Sequence, residues 1–134
     1  MELAGEQYIC HNDENLWDFE ILDGCESMNM NHIHPLKQRA VSALIRLLAY
    51  DSHVRAAIVF GSAVRFDCHS ASDLDLLIVR DDDQMRIDAP LESIPGEMDI
   101  LFASHLGDRL RREIARTGVL VYSRDDDTKC QKDA

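Results

Sequence analysis

The sequence predicts an α/β (α+β) fold: a small mixed sheet of about four strands with helices mainly on one face. Three observations carry that expectation. Four short β-branched or apolar runs, at 55–60, 74–79, 98–102 and 119–122, have the length and composition of strands. They alternate with stretches whose apolar residues recur at three and four, the helical period. The 134 residues, 46% hydrophobic and 29% charged, suffice for one domain with a core and are too few for two ordinary ones. The expected domain is 35–123, between a poorly ordered acidic extension at 1–34 and a polar tail at 124–134.

Taken in order, Leu36, Ala40, Val41, Leu44, Leu47 and Leu48 form one stripe of an amphipathic helix that opens on Pro35 and ends between Tyr50 and His53. Arg55–Phe60 reads as a buried strand that stops at Gly61. After a helical turn and a polar loop, Leu74–Val79 is a nearly continuous apolar strand, the pattern of a strand covered on both faces. Asp81, Asp82 and Asp83 follow as a solvated turn, because Asp75 and Asp81 stand about 20 Å apart along an extended chain. Residues 84–97 carry Pro90, Pro95 and Gly96 and read as a loop with at most a short helix at 91–94. Met98–Phe102 is a third strand with Asp99 inside it. Ser104 is placed to cap a helix over 105–116, Gly118 stands where a helix ends in a left-handed residue, and Val119–Tyr122 is the fourth strand.

Charge is unevenly placed. The net charge is -11, and residues 1–35 hold eight acids with no Lys or Arg. Binding to polymeric nucleic acid rests on clustered positive charge, so this balance argues against it. A small nucleotide carried with its own divalent cation escapes the objection. In the extension, the apolar cluster 16–22 reads as a short strand or a docking segment. Cys10, Cys25, Cys68 and Cys130 lack metal or disulfide spacing and read as reduced thiols. With no apolar run long enough for a membrane helix and no signal-peptide pattern at the start, the expected compartment is the cytoplasm.

The chemistry concentrates in two runs. Asp73 and Asp75, at i and i+2 on an apolar strand, point to one face, and Asp99 joins them if its strand is adjacent, about 4.8 Å away. Carboxylates so placed repel one another, and Mg²⁺, which takes hard oxygen ligands, relieves that repulsion. Two such ions would clamp the attacking and leaving oxygens of an in-line displacement. Upstream, Gly61 allows close approach of a phosphate, Ser62 offers N–H and O–H donors, and Arg65 adds a permanent cation. Asp73, Asp75 and Asp99 are therefore the candidate catalytic and metal-binding residues, and Gly61, Ser62 and Arg65 the candidate nucleotide-binding residues. Arg109, Arg112 and Arg116 form one stripe of the last helix, read as a docking surface or a solvated face.

Residues 58–79, with Gly61-Ser62 followed by Asp73-Leu74-Asp75, resemble the signature of the DNA polymerase beta-like nucleotidyltransferase superfamily, and the Ser-Asp-Leu-Asp-Leu run is most similar to its minimal, bacterial and archaeal branch. The likeness covers about 36–123. It implies the polymerase beta-like nucleotidyltransferase fold and transfer of a nucleoside monophosphate, AMP, from Mg-bound ATP to a hydroxyl with release of pyrophosphate. Many minimal members act as antitoxins that bind and adenylylate a HEPN-type toxin, which makes such a protein the implied partner. The alternatives are a contact-only binding module of a toxin–antitoxin pair and transfer to a small molecule such as an aminoglycoside. The chain departs from the pattern at Phe66, where the family commonly has glycine, and in the short proline-bearing segment before Asp99.

Overall fold

A computed structural model of the protein describes residues 16–81, 87, 89–94, 96–102 and 106–124. Helix α1 spans Pro35–Leu48, with proline at its first turn and the His34 ring accepting the Leu36 N–H at 3.1 Å as the cap. It stops short of the expected 50–53 because Asp51 builds a turn, accepting the backbone N–H groups of His53 and Ala89. Strands β1 (Val54–Phe60), β2 (Leu74–Arg80), β3 (Met98–Phe102) and β4 (Val119–Ser123) follow the sequence expectation to within a residue at each end, with helix α2 (Asp108–Thr117) before β4. Short 3₁₀ turns occupy Gly61–Val64 and Leu91–Ser93.

The sheet order is β3-β2-β1-β4, with β1 antiparallel to both β2 and β4, and β2 parallel to β3. Because β1 and β2 are apolar on both faces, each face needs a cover. Val41, Leu44 and Leu48 of α1 pack with Val59, Leu76, Ile78 and Val121 on one side. Ile114 and Leu110 of α2 pack with Ile58, Phe60, Leu77 and Val79 on the other. The expectation of helices mainly on one face is corrected here: one α-helix takes each face.

Four other expectations change. From Leu16 onward, residues 16–34 are packed on the domain rather than forming a loose extension: Cys25, Met30 and Ile33 are buried, and Leu16, Ile21 and Leu22 lie against the same core. Gln38, fully buried on α1, ties that segment down. Its Oε1 accepts the Leu22 N–H at 2.8 Å and its Nε2 donates to the carbonyls of Glu20 and Ile33 at 2.8 and 3.0 Å. The 16–22 cluster thus docks without forming a strand. Leu36, expected in the buried stripe, is 53% exposed, since α1 turns Gln38 toward the segment instead.

Gly118 is not left-handed: its φ is -72°, and the glycine is required for space, because a Cβ would lie 2.6 Å from the Ile114 carbonyl and 2.9 Å from Ile58 Cγ2. Ser104, residues 82–86, 1–15 and 125–134 lie outside the described residues, as do Cys10 and Cys130. Cys25 and Cys68 are free thiols. Asp81 is no simple solvated turn residue, since it accepts from the Arg124 guanidinium at 2.5 Å and faces Arg55 at 3.5 Å. No described helix is long and apolar enough to cross a membrane.

Candidate active site

The site forms where β1 ends and β2 begins. Gly61 leaves the sheet at φ +77°, a left-handed conformation that side chains with a Cβ rarely adopt. A Cβ there would overlap the Asp75 carboxylate, with Asp75 Cγ at 3.1 Å and Cβ at 3.3 Å. The glycine of the first motif and the second acid of the other are therefore in contact. Ser62 strengthens that junction: its hydroxyl donates to the Asp73 carbonyl at 3.3 Å. The flanks are fixed as well, because the His34 N–H donates to the Ala63 carbonyl at 2.8 Å and the Lys37 ammonium donates to the Ser72 carbonyl.

Register does what the sequence could only make conditional. Phe60 pairs with Asp75 across the antiparallel ladder, and Asp75 pairs with Asp99 across the parallel one. Asp75 and Asp99 alternate with residues that pack under α1, so both fall on the sheet face covered by α2. Asp73 and Asp99 are exposed, and Asp75 is half-buried. Burial raises the Asp75 pKa above the ordinary aspartate value, and the charges of Asp99, Asp73 and Glu113 raise it further, while Arg65 opposes them. Among the described residues, no group of three or more His, Cys, Asp or Glu is drawn close enough to hold a metal ion. The donors nonetheless suit a hard cation: oxygen ligands on one face around a carboxylate whose ionised form the protein disfavours.

Sequence reasoning missed Glu113. It sits on α2 one residue before Ile114, whose side chain anchors the helix to the sheet, so it is carried to the carboxylate side of the fold. Nothing local marks it, because the face of the sheet that α2 covers is set by packing at a distance. The arginine stripe of α2 is equally relocated by the fold. Arg109, Arg112 and Arg116 line a cavity of about 490 Å³ together with Arg65, Glu113 and Trp17. Arg65 also faces Asp67 at 3.5 Å, a solvent-exposed and weak pairing.

Residues 42–127 match the family described as Polymerase beta, Nucleotidyltransferase. The chain belongs to that nucleotidyltransferase family. No curated protein matches the chain. Gly61, Ser62, Arg65, Asp73, Asp75, Asp99 and Glu113 all fall within the matched span, whereas Trp17 and the segment docked by Gln38 precede it. Nucleotidyl transfer is the activity of the family, whose domains generally use a nucleoside triphosphate and a divalent metal. The four-stranded mixed sheet with its two helices is consistent with the nucleotidyltransferase fold.

Proposed function

We propose that this nucleotidyltransferase moves AMP from ATP to a hydroxyl on a partner protein, a HEPN-type toxin, and thereby acts as a cytoplasmic antitoxin of the minimal branch. The observation that carries the reading is the meeting of the two motifs: the Asp75 carboxylate occupies the space beside Gly61, with Asp99 at its register partner. A phosphate held by the Gly61–Ser62 turn is thus next to the acids. The Ser62 N–H binds a phosphate oxygen while its O–H holds the Asp73 carbonyl, and Arg65 offsets the phosphate charge.

In the transfer, a bond forms between the acceptor oxygen and the α-phosphorus as the α-phosphorus bond to the bridging oxygen breaks, and pyrophosphate leaves with that electron pair. Asp99, exposed at the edge strand, takes the proton of the acceptor hydroxyl. Asp73, Asp75 and Asp99 would hold two Mg²⁺ ions, which when bound supply positive charge for the attacking and leaving oxygens. The arginines around the cavity count against a cationic acceptor such as an aminoglycoside.

Intact-mass measurement of the product of the neighbouring gene, incubated with the chain, Mg²⁺ and ATP, tests the reading. A mass increase of one AMP unit, lost in Asp73→Ala/Asp75→Ala, is expected. If no nucleoside triphosphate adds any mass while the double variant still neutralises the toxin, contact rather than chemistry carries the biology.

A further inference from the structure

Two aromatic residues meet in space. Trp17 belongs to the segment that precedes the family match, and Phe66 lies within the match, just after the Gly61–Val64 turn. Their rings lie 5.1 Å apart between centroids, tilted by 32°. Both are large apolar side chains left exposed, at 52% and 67%. A folding core does not account for that, and exposed aromatic surface in contact with a cavity is a common feature of ligand sites. The cavity itself holds four guanidinium groups, from Arg65, Arg109, Arg112 and Arg116, against the single carboxylate of Glu113. In a chain of net charge -11, that is a local reversal of sign. Its volume of about 490 Å³ suits a ligand of nucleotide size. Arg65 and Glu113 line this cavity, and their charges also act on the Asp75 carboxylate, Glu113 raising and Arg65 lowering its pKa.

A cation-lined cavity with a flat aromatic wall selects an anion that carries a flat ring. We propose that residues 16–34 complete the nucleotide site: Trp17, braced by Phe66, stacks on the base of the nucleoside triphosphate, and the arginines of α2 extend the phosphate cradle begun at Gly61. The proposal rests on the nucleotidyl-transfer reading for its choice of ligand. It also gives the docking of 16–34 through Gln38 a purpose, since that anchor holds Trp17 at the cavity wall.

Trp17 is the chain's sole tryptophan, so its emission reports directly on the site. The probes are ATP, adenosine and inorganic tripolyphosphate, each titrated in EDTA and in Mg²⁺, with affinities from calorimetry. ATP should shift or quench Trp17 emission, whereas tripolyphosphate should bind without a comparable change. Trp17→Ala should weaken ATP binding about ten-fold, within the range of stacking one base on an aromatic side chain, and leave tripolyphosphate unchanged. Trp17→Phe should restore most of the loss, and Arg112→Ala should weaken ATP and tripolyphosphate alike. Equal ATP affinity in the parent and Trp17→Ala, an unaltered emission at saturating ATP, or no measurable ATP binding overturns the proposal. Trp17-dependent ATP binding with no transfer to any acceptor would instead sink the catalytic reading and leave the base platform standing.

Discussion

Gly61→Ala tests the junction between the two motifs more sharply than removal of any acid. The alanine must adopt φ +77°, which costs an L-residue about 1–2 kcal/mol. Its Cβ must also displace the Asp75 carboxylate. Rotation about the terminal torsion of Asp75 moves only the oxygens, and Cγ at 3.1 Å and Cβ at 3.3 Å remain tight, so the side chain has to change its first torsion or the strand must shift. Such overpacking adds about 1–2 kcal/mol. The total is about 2–4 kcal/mol, a fall in Tm of order 10 °C for a domain of this size. Activity should suffer more than stability, because moving a catalytic carboxylate by an ångström costs about 100-fold.

Thermal unfolding and AMP transfer should be measured for Gly61→Ala, for Asp75→Ala and for the double variant. With Cγ and the carboxylate oxygens gone in Asp75→Ala and only its Cβ left nearby, Gly61→Ala should cost little beyond the backbone portion, so the two substitutions couple. Equal costs in both backgrounds, or a Gly61→Ala variant with the parent's Tm and rate, would refute the claim that this glycine is required by the carboxylate beside it.

Further outcomes follow from the same contacts. Gln38→Leu leaves the Leu22 N–H and two carbonyls without their partner, and should cost about 1–3 kcal/mol while opening residues 16–34 to limited proteolysis. Asp75 has a raised folded pKa, so its stabilising contribution is complete below the unfolded value of 3.8 and is lost as pH rises through the folded one. Asp75→Asn should therefore raise the metal-free stability at neutral pH by up to about 1 kcal/mol, the scale of like charges facing across strands, and the gain should vanish in acid. Asp81 is the opposite case: its hydrogen bond to Arg124 lowers its pKa, with further lowering by the charges of Arg124, Arg55 and His53. Its contribution is present above 3.8 and lost as pH falls through the depressed value, so Asp81→Asn should cost about 1 kcal/mol or less at neutral pH and nothing at strongly acid pH, by the same melts.

The parts that were legible in the sequence are those that local pattern determines. A run such as Leu74–Val79 has only one way to bury apolar side chains on both faces, and the i, i+2 spacing of Asp73 and Asp75 fixes a shared face whatever lies around them. The contact between Gly61 and Asp75 followed once those strands paired. What local pattern could not show was set by partners distant in the chain. Gln38 looks like a solvent residue on a helical wheel, yet it is buried because the chain sixteen residues earlier needs its amide. Glu113 carries no local mark, and the α2 arginines, read as a docking surface or a solvated face, line a cavity because the helix takes the second side of the sheet. Composition misread residues 16–34 for a similar reason: eight acids in 1–35 signal poor order, but Cys25, Met30 and Ile33 supply enough burial to fold the segment. Gly118 was assigned to a left-handed cap when its role is to make room for Ile114 and Ile58.

In the proposed reaction, the acids beside Gly61 direct attack at the α-phosphorus of a nucleoside triphosphate. Parallel incubations with ATP labelled at the α-phosphorus and at the γ-phosphorus, using the chain, Mg²⁺ and the partner protein, examine that bond directly. The α-label alone should move to the partner, and Asp75→Asn should abolish the transfer. Transfer of the γ-label, or α-label transfer undiminished in Asp75→Asn, would contradict it.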